Sequence, residues 1–143
     1  MKLFILTITL GMFLTGCSSN NSTENVALIK KYIQSVESQD YATMESMLDE
    51  NYLGLGPSHG DSIRKPAALE NWKYNIENLY ENIKYNRSRS AAIIVSDGEN
   101  QGEWVSNLAE LTITYKDDIG EVTIWANTVY QIENAKIIKS ITS

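Results

Sequence analysis

The sequence predicts an α+β domain whose helices pack on one face of an antiparallel sheet. Two observations predict it. Apolar residues recur at three- and four-residue spacing through the first half of the chain, and from about residue 84 the period changes to two. A third, the turn signals Asp97-Gly98, Lys116 to Gly120 and Glu133-Asn134, cuts the second half into successive strands joined by short connections.

Each element follows from its residues. Thr23 or Asn25 can cap a first helix in which Val26, Ile29, Ile33 and Val36 form the inward stripe. Ser38-Gln39-Asp40 breaks it. Asp40 then caps a short second helix, with Tyr41, Met44, Met47 and Leu48 turned inward. Asn51 to Leu55 reads as a short strand that Gly56-Pro57 ends, and a loop runs from Ser58 to Ser62. Pro66 suits the first turn of a third helix, because the amide it lacks has no partner there anyway. The stripe of that helix is Leu69, Trp72, Ile76, Leu79 and Ile83. Ala91 to Val95 is an apolar strand. Glu103 to Tyr115 alternates, with Val105, Ala109, Leu111, Ile113 and Tyr115 on one face. Val122, Ile124, Ala126, Tyr130 and Ile132 line the same face of the next strand, and Lys136 to Thr142 is the last.

The N-terminus carries a separate message. Lys2 opens it, Leu3 to Leu14 is almost wholly apolar, and Thr15-Gly16-Cys17 closes it with small residues. A run of that length is too short to span a bilayer and has the layout of an export signal. Leu14-Thr15-Gly16-Cys17 resembles the lipobox of bacterial lipoproteins. The resemblance implies cleavage before Cys17, the single cysteine of the chain, and diacylglycerol and palmitate on its sulfur. Two or more acyl chains hold a protein on a bilayer durably. The expected organisation is a signal peptide over 1–16, a lipidated Cys17 with a flexible tether over 17–23, and the folded domain over 24–143. Ser18 after the cysteine suggests the periplasmic face of the outer membrane, by the sorting convention of enteric bacteria.

Composition excludes several functions. The chain carries 12 basic and 18 acidic residues. Loss of Lys2 with the leader leaves eleven against eighteen, a net charge of −7. An acidic surface argues against nucleic acid and against docking on anionic lipid. One histidine and one lipidated cysteine do not make a metal site. There is no phosphate loop, nucleophile elbow or dinucleotide fingerprint, so no cofactor is expected. Lys30-Lys31 and Arg64-Lys65 read as solvated charge pairs.

Four stretches carry a resemblance. They are the helix-to-helix junction Lys31 to Met44, the glycine loop opening the third helix from Gly60 to Leu69, the strand start Gly102-Glu-Trp104, and the ending Val129 to Ile138. In order and spacing they resemble the nuclear transport factor 2-like superfamily, closest to its SnoaL-like and ketosteroid-isomerase-like domains, over residues 24 to 143. The resemblance implies a curved sheet wrapped against three N-terminal helices into a cone with a pocket inside. The isomerase branch uses a carboxylate base together with a tyrosine and a protonated acid that hold the oxyanion. Carried over, the tyrosine falls on Tyr32. The base falls on Gly56, and the oxyanion acid on Thr128, or on Asn127 if the register slips by one. Two of the three groups are therefore missing.

The expected function is a membrane-tethered envelope lipoprotein whose domain binds a small apolar or amphipathic ligand without catalysis. The alternatives are a cyclase, isomerase or dehydratase on the same fold, or a protein-interaction module of the envelope. Tyr32, Trp72, Asn107, Thr128 and Tyr130 are the pocket candidates. His59 and Asp61, two residues apart in the glycine-rich loop, are the catalytic candidates along with Tyr32, because a histidine beside a carboxylate can move protons near neutrality. The competing reading of His59 is an exposed loop residue. Strand alternation finally turns Trp104, Leu108, Trp125 and Val129 outward on an otherwise polar face. That composition suits a partner interface, and a two-fold dimer is expected there.

Overall fold

The computed structural model describes residues 21–143. The leader, Cys17 and the start of the expected tether lie outside them. Helix α1 (Ser22–Glu37) turns the expected stripe inward, burying Ile29, Ile33 and Val36 with Tyr32 alongside. It begins two residues before the domain boundary expected at residue 24. Asn25, an expected cap, lies inside the helix and is buried, its side-chain amide donating to the Glu103 carboxylate.

The break after α1 is a tight turn with Gln39 at φ 56°. Asp40 caps α2 (Tyr41–Met47) as expected: Thr43 donates its backbone N–H and its hydroxyl to the carboxylate, at 3.1 and 2.6 Å. The hydroxyl bond, then the backbone bond, holds the Asp40 carboxyl below its ordinary pKa. Met44, Met47 and Leu48 are buried below it.

Strands β1 (Leu48–Leu55) and β2 (Ser62–Arg64) form a short hairpin, and α3 (Lys65–Asn78) follows directly with Pro66 in its first turn. Lys65 is not the solvated charge that the sequence suggests. It is buried, and its ammonium donates to the Leu48 carbonyl at 3.1 Å and to Glu50 at 2.6 Å, tying the start of α3 to β1. The far end of α3 also departs from expectation. The helix stops at Asn78, and Ile83, expected on its stripe, lies in β3 (Tyr80–Val95). Lys116 enforces the stop. Its ammonium caps the Ile76 and Glu77 carbonyls at 2.8 and 2.7 Å, and its backbone N–H takes the Leu79 carbonyl at 2.9 Å. The chain then pairs with β4 (Gly102–Tyr115) along its length, from Tyr80 opposite Tyr115 to Val95 opposite Gly102.

With β5 (Gly120–Glu133) and β6 (Lys136–Thr142) the sheet reads β2-β1-β6-β5-β4-β3. Its two edge strands do not meet, so it stays open. The junction of β1 with β6 is parallel and the other pairings are antiparallel. The pairing of the long strands is irregular between Asn86 and Arg89, where Arg87 has φ 51°, and between Gln131 and Ile132. Ile29 and Val36 of α1, Met44 of α2, Val105 of β4 and Ile137 of β6 are fully buried between the layers. Burial of an aliphatic side chain of that size is worth about 2 kcal/mol.

The alternation expected on the outer face holds, and Trp104 lies there in a cross-strand row with Ile93, Gln131 and Lys139. It is not available to a partner, however, being only 5% exposed. Its indole N–H donates to the Asn100 carbonyl at 2.8 Å and the Lys139 ammonium lies 5.9 Å from its ring centroid. Leu108 and Trp125 remain exposed, Trp125 at 62%, and Val129 is half-buried.

Candidate functional site

The inner face of the sheet, α1 and α3 enclose a cavity of about 570 Å³. The segment Tyr52-Leu-Gly-Leu-Gly56 of β1 and its following loop builds one wall, and both of its glycines are required by close approach. A Cβ on Gly54 would stand 2.8 Å from the Tyr52 hydroxyl and 2.9 Å from Ile63 Cγ2. Tyr52 therefore lies over Gly54, and its hydroxyl shares a 2.6 Å hydrogen bond with the buried Ser140 hydroxyl of β6. A Cβ on Gly56 would stand 2.9 Å from Asp61 Cβ and 3.3 Å from Asp61 Oδ2. The Asp61 side chain thus lies over Gly56. The loop between them closes on itself: the Gly56 N–H donates to the Asp61 carbonyl at 3.1 Å and the Asp61 N–H to the Ser58 carbonyl at 3.0 Å.

Five tyrosines line the cavity. Tyr32 of α1, Tyr52 of β1, Tyr80 and Tyr85 of β3 and Tyr130 of β5 all contribute. Tyr32 and Tyr130 meet edge to face, with centroids 5.9 Å apart and planes at 67°. The Trp72 side chain of α3 partly offsets the burial-driven rise in the Tyr32 pKa. The Thr128 hydroxyl pairs with the Thr142 hydroxyl at 3.2 Å. Burial raises the pKa of Tyr32, Tyr52, Tyr80 and Tyr130, and the electrostatic influence of neighbouring phenols raises those of Tyr32, Tyr80 and Tyr130 further. Tyr85 is pushed up to about 12, first by burial and then by the nearby Glu37 carboxylate. Glu37 also accepts the Tyr85 backbone N–H at 2.7 Å. All five phenols are neutral at physiological pH. Val36, Ile63, Ile83, Leu111 and Ile113 complete an apolar interior. Among the described residues lining the cavity, Asp61 is the one carboxylate, and there is no Lys, Arg or His.

Of the residues singled out in the sequence, Tyr32, Trp72, Thr128, Tyr130 and Asp61 line this cavity. Asn107 does not, although it is buried and has the expected inward parity. Its amide donates to Ser88 Oγ at 2.8 Å and Ser90 Oγ at 3.0 Å, and is consumed in holding the irregular stretch of β3. His59 is exposed in the loop and is not among the lining residues, so the loop does not bring His59 and Asp61 together in the cavity. Asn127 accepts the Ser106 hydroxyl at 3.3 Å and is also absent from the lining, leaving Thr128 as the inward residue of the pair. Tyr52, Tyr80, Tyr85 and Ser140 also line the cavity, beyond the residues that the sequence points to. The Tyr-x-Gly-x-Gly spacing is the signal for Tyr52. Tyr80 is hidden by extending the third helix to Ile83. Among the described residues no group of three His, Cys, Asp or Glu side chains is placed to hold a metal ion.

No family model matches the chain, and no curated protein matches it. Solved structures do. A ketosteroid isomerase-like protein from Erwinia carotovora atroseptica superposes with a TM-score of 0.67 at 11% identity, covering 87% of this chain and 96% of that one. A nuclear transport factor 2-like protein from Burkholderia xenovorans gives 0.63 at 17% identity, covering 85% and 89%. An LEH-like epoxide hydrolase from M. tuberculosis gives 0.61 at 12% identity, covering 85% and 83%. At such identities the likeness is one of fold. The chain has the nuclear transport factor 2-like fold, three helices on a curved, open, mixed sheet.

Proposed function

We propose that this is a lipid-anchored protein of the cell envelope that binds a small, mostly apolar organic molecule in its cavity without transforming it. The observation that carries the reading is the lining: five neutral phenols on an apolar wall, with the exposed Asp61 as its one carboxylate. Such a lining suits a ligand of low charge, because phenols satisfy its few polar atoms while the aliphatic residues take up its surface. Proton-transfer catalysis needs an acid or base in the cavity, and the one carboxylate of the lining, Asp61, is solvent-exposed. The exposed His59, which is not among the lining residues, supports the same reading. The anchor rests on the lipobox at Cys17, and the outer membrane on Ser18.

Filling the cavity tests the binding reading. Ala126 lines it from β5, and Ala126→Trp should abolish the fluorescence gain of the neutral dye Nile red on mixing with the protein. Undiminished dye uptake by a folded Ala126→Trp variant refutes the cavity as the binding site. Turnover of a β,γ-unsaturated ketone that disappears in Tyr32→Phe refutes the non-catalytic role.

A further inference from the structure

We propose that the ligand is a cationic amphiphile, an apolar body bearing a protonated amine, and that Asp61 selects it at the rim of the cavity. This rests on the binding reading above and names the ligand class.

The first support is the placement of Asp61. Its carboxylate occupies the space that any side chain at position 56 would need, with Oδ2 3.3 Å from the place of that Cβ. No positive φ accompanies Gly56, so the glycine is there for room and not for backbone conformation. The Leu55–Ser62 pairing and the two backbone hydrogen bonds of the loop hold Asp61 in that position. A carboxylate is thereby laid on the cavity wall at its solvent-facing end, since Asp61 itself is exposed.

The second support is the charge balance of the lining. With no Lys, Arg or His there, an anionic ligand would lose hydration and gain no counter-charge. A cation meets the opposite conditions. Asp61 stands in the lining, the aromatic side chains of Trp72 and Tyr52 line the same cavity, and Asn71 and Asn75, one turn apart on α3, bring side-chain carbonyl acceptors. The net charge of −6 draws cations toward the protein as a whole. An ammonium at the rim keeps part of its water, so desolvation costs it little, while its apolar body reaches Ile83, Leu111 and Ile113 inside.

Titration calorimetry with three probes of one skeleton decides the matter: 4-phenylbutylamine, 4-phenylbutanol and 4-phenylbutyrate. The amine should bind tightest and the carboxylate weakest. Asp61→Asn, an exposed and nearly isosteric change, should lower the amine-to-alcohol affinity ratio about fivefold, the upper range for a solvent-exposed ion pair. Gly56→Ala, whose Cβ displaces the Asp61 side chain, should lower the same ratio with Asp61 still present. If the carboxylate binds as well as the amine, or the ratio survives Asp61→Asn, the proposal is overturned while the cavity reading stands. If none of the three binds, the cavity reading itself falls, and this one with it.

Discussion

Gly54→Ala is a one-carbon change on β1 whose cost can be worked out from the structure. The added Cβ would lie 2.8 Å from the Tyr52 hydroxyl and 2.9 Å from Ile63 Cγ2. Both are closer than non-bonded atoms tolerate, so Tyr52 must retreat. Overpacking of this kind costs about 1–3 kcal/mol. Retreat also breaks the 2.6 Å hydrogen bond to Ser140, worth about 1 kcal/mol net, and more if the buried Ser140 hydroxyl is left without a partner. The sum is about 3 kcal/mol, a large share of the total for a domain of this size. Urea unfolding should show it as a lower midpoint at unchanged slope. The diagnostic measurement is the double-mutant cycle with Tyr52→Phe. Without the hydroxyl the nearest ring carbon stands 3.4 Å from the new Cβ, an ordinary contact, so Gly54→Ala should cost about 1–2 kcal/mol less in that background. If the two changes are additive, Ile63 alone imposes the glycine, and the role assigned to it in placing Tyr52 is wrong.

Alkaline titration examines the phenol cluster as a whole. The raised pKa values of Tyr32, Tyr52, Tyr80, Tyr85 and Tyr130 mean that the folded state keeps protons that the unfolded chain gives up near 10.0. Their contribution to stability is therefore complete below pH 10 and falls progressively above it, that of Tyr85 being lost as the pH passes about 12. Tyrosinate absorbance from these residues should rise together with loss of circular dichroism; ionisation of every tyrosine with the fold intact would contradict their burial. Cys17→Ser should move the protein from the membrane fraction to the soluble fraction, and its persistence in detergent-free pellets would remove the basis for the anchor. We further propose a two-fold dimer through the exposed part of the outer face, where Trp125 and Leu108 lie. Sedimentation of the unlipidated protein at tens of micromolar should show a dimer that Trp125→Glu dissociates, and a monomeric wild-type protein would refute it.

Local signals were the readable ones. The Asp40 cap, the α1 stripe and the turns between the long strands each lie within a few residues of what they specify. The end of α3 could not be read this way, because Leu79 and Ile83 continue a helical spacing and the group that stops the helix is Lys116, 40 residues from the Ile76 carbonyl it caps. Asn107 and Trp104 show the same limit from the other side. Alternation gives each its correct face, but the residues that claim them are Ser88 and Ser90 in one case and the Asn100 loop with Lys139 in the other. At Gly56 the missing side chain is plain in the sequence. That Asp61 fills the vacated space depends on how the loop closes, which no periodicity encodes.

The parallel junction of β1 with β6 has a consequence in time. Leu53 registers with Lys139 and Leu55 with Ile141, and Tyr52 reaches Ser140 across 88 positions of sequence. Contacts this distant form late, since the intervening chain must be gathered before they contribute anything. The helices and the β3–β5 meander can condense from nearer neighbours, but the cavity wall that holds Tyr52, Gly54 and Gly56 waits for β6 to dock. A chain still lacking that strand is therefore a chain without this wall of the cavity.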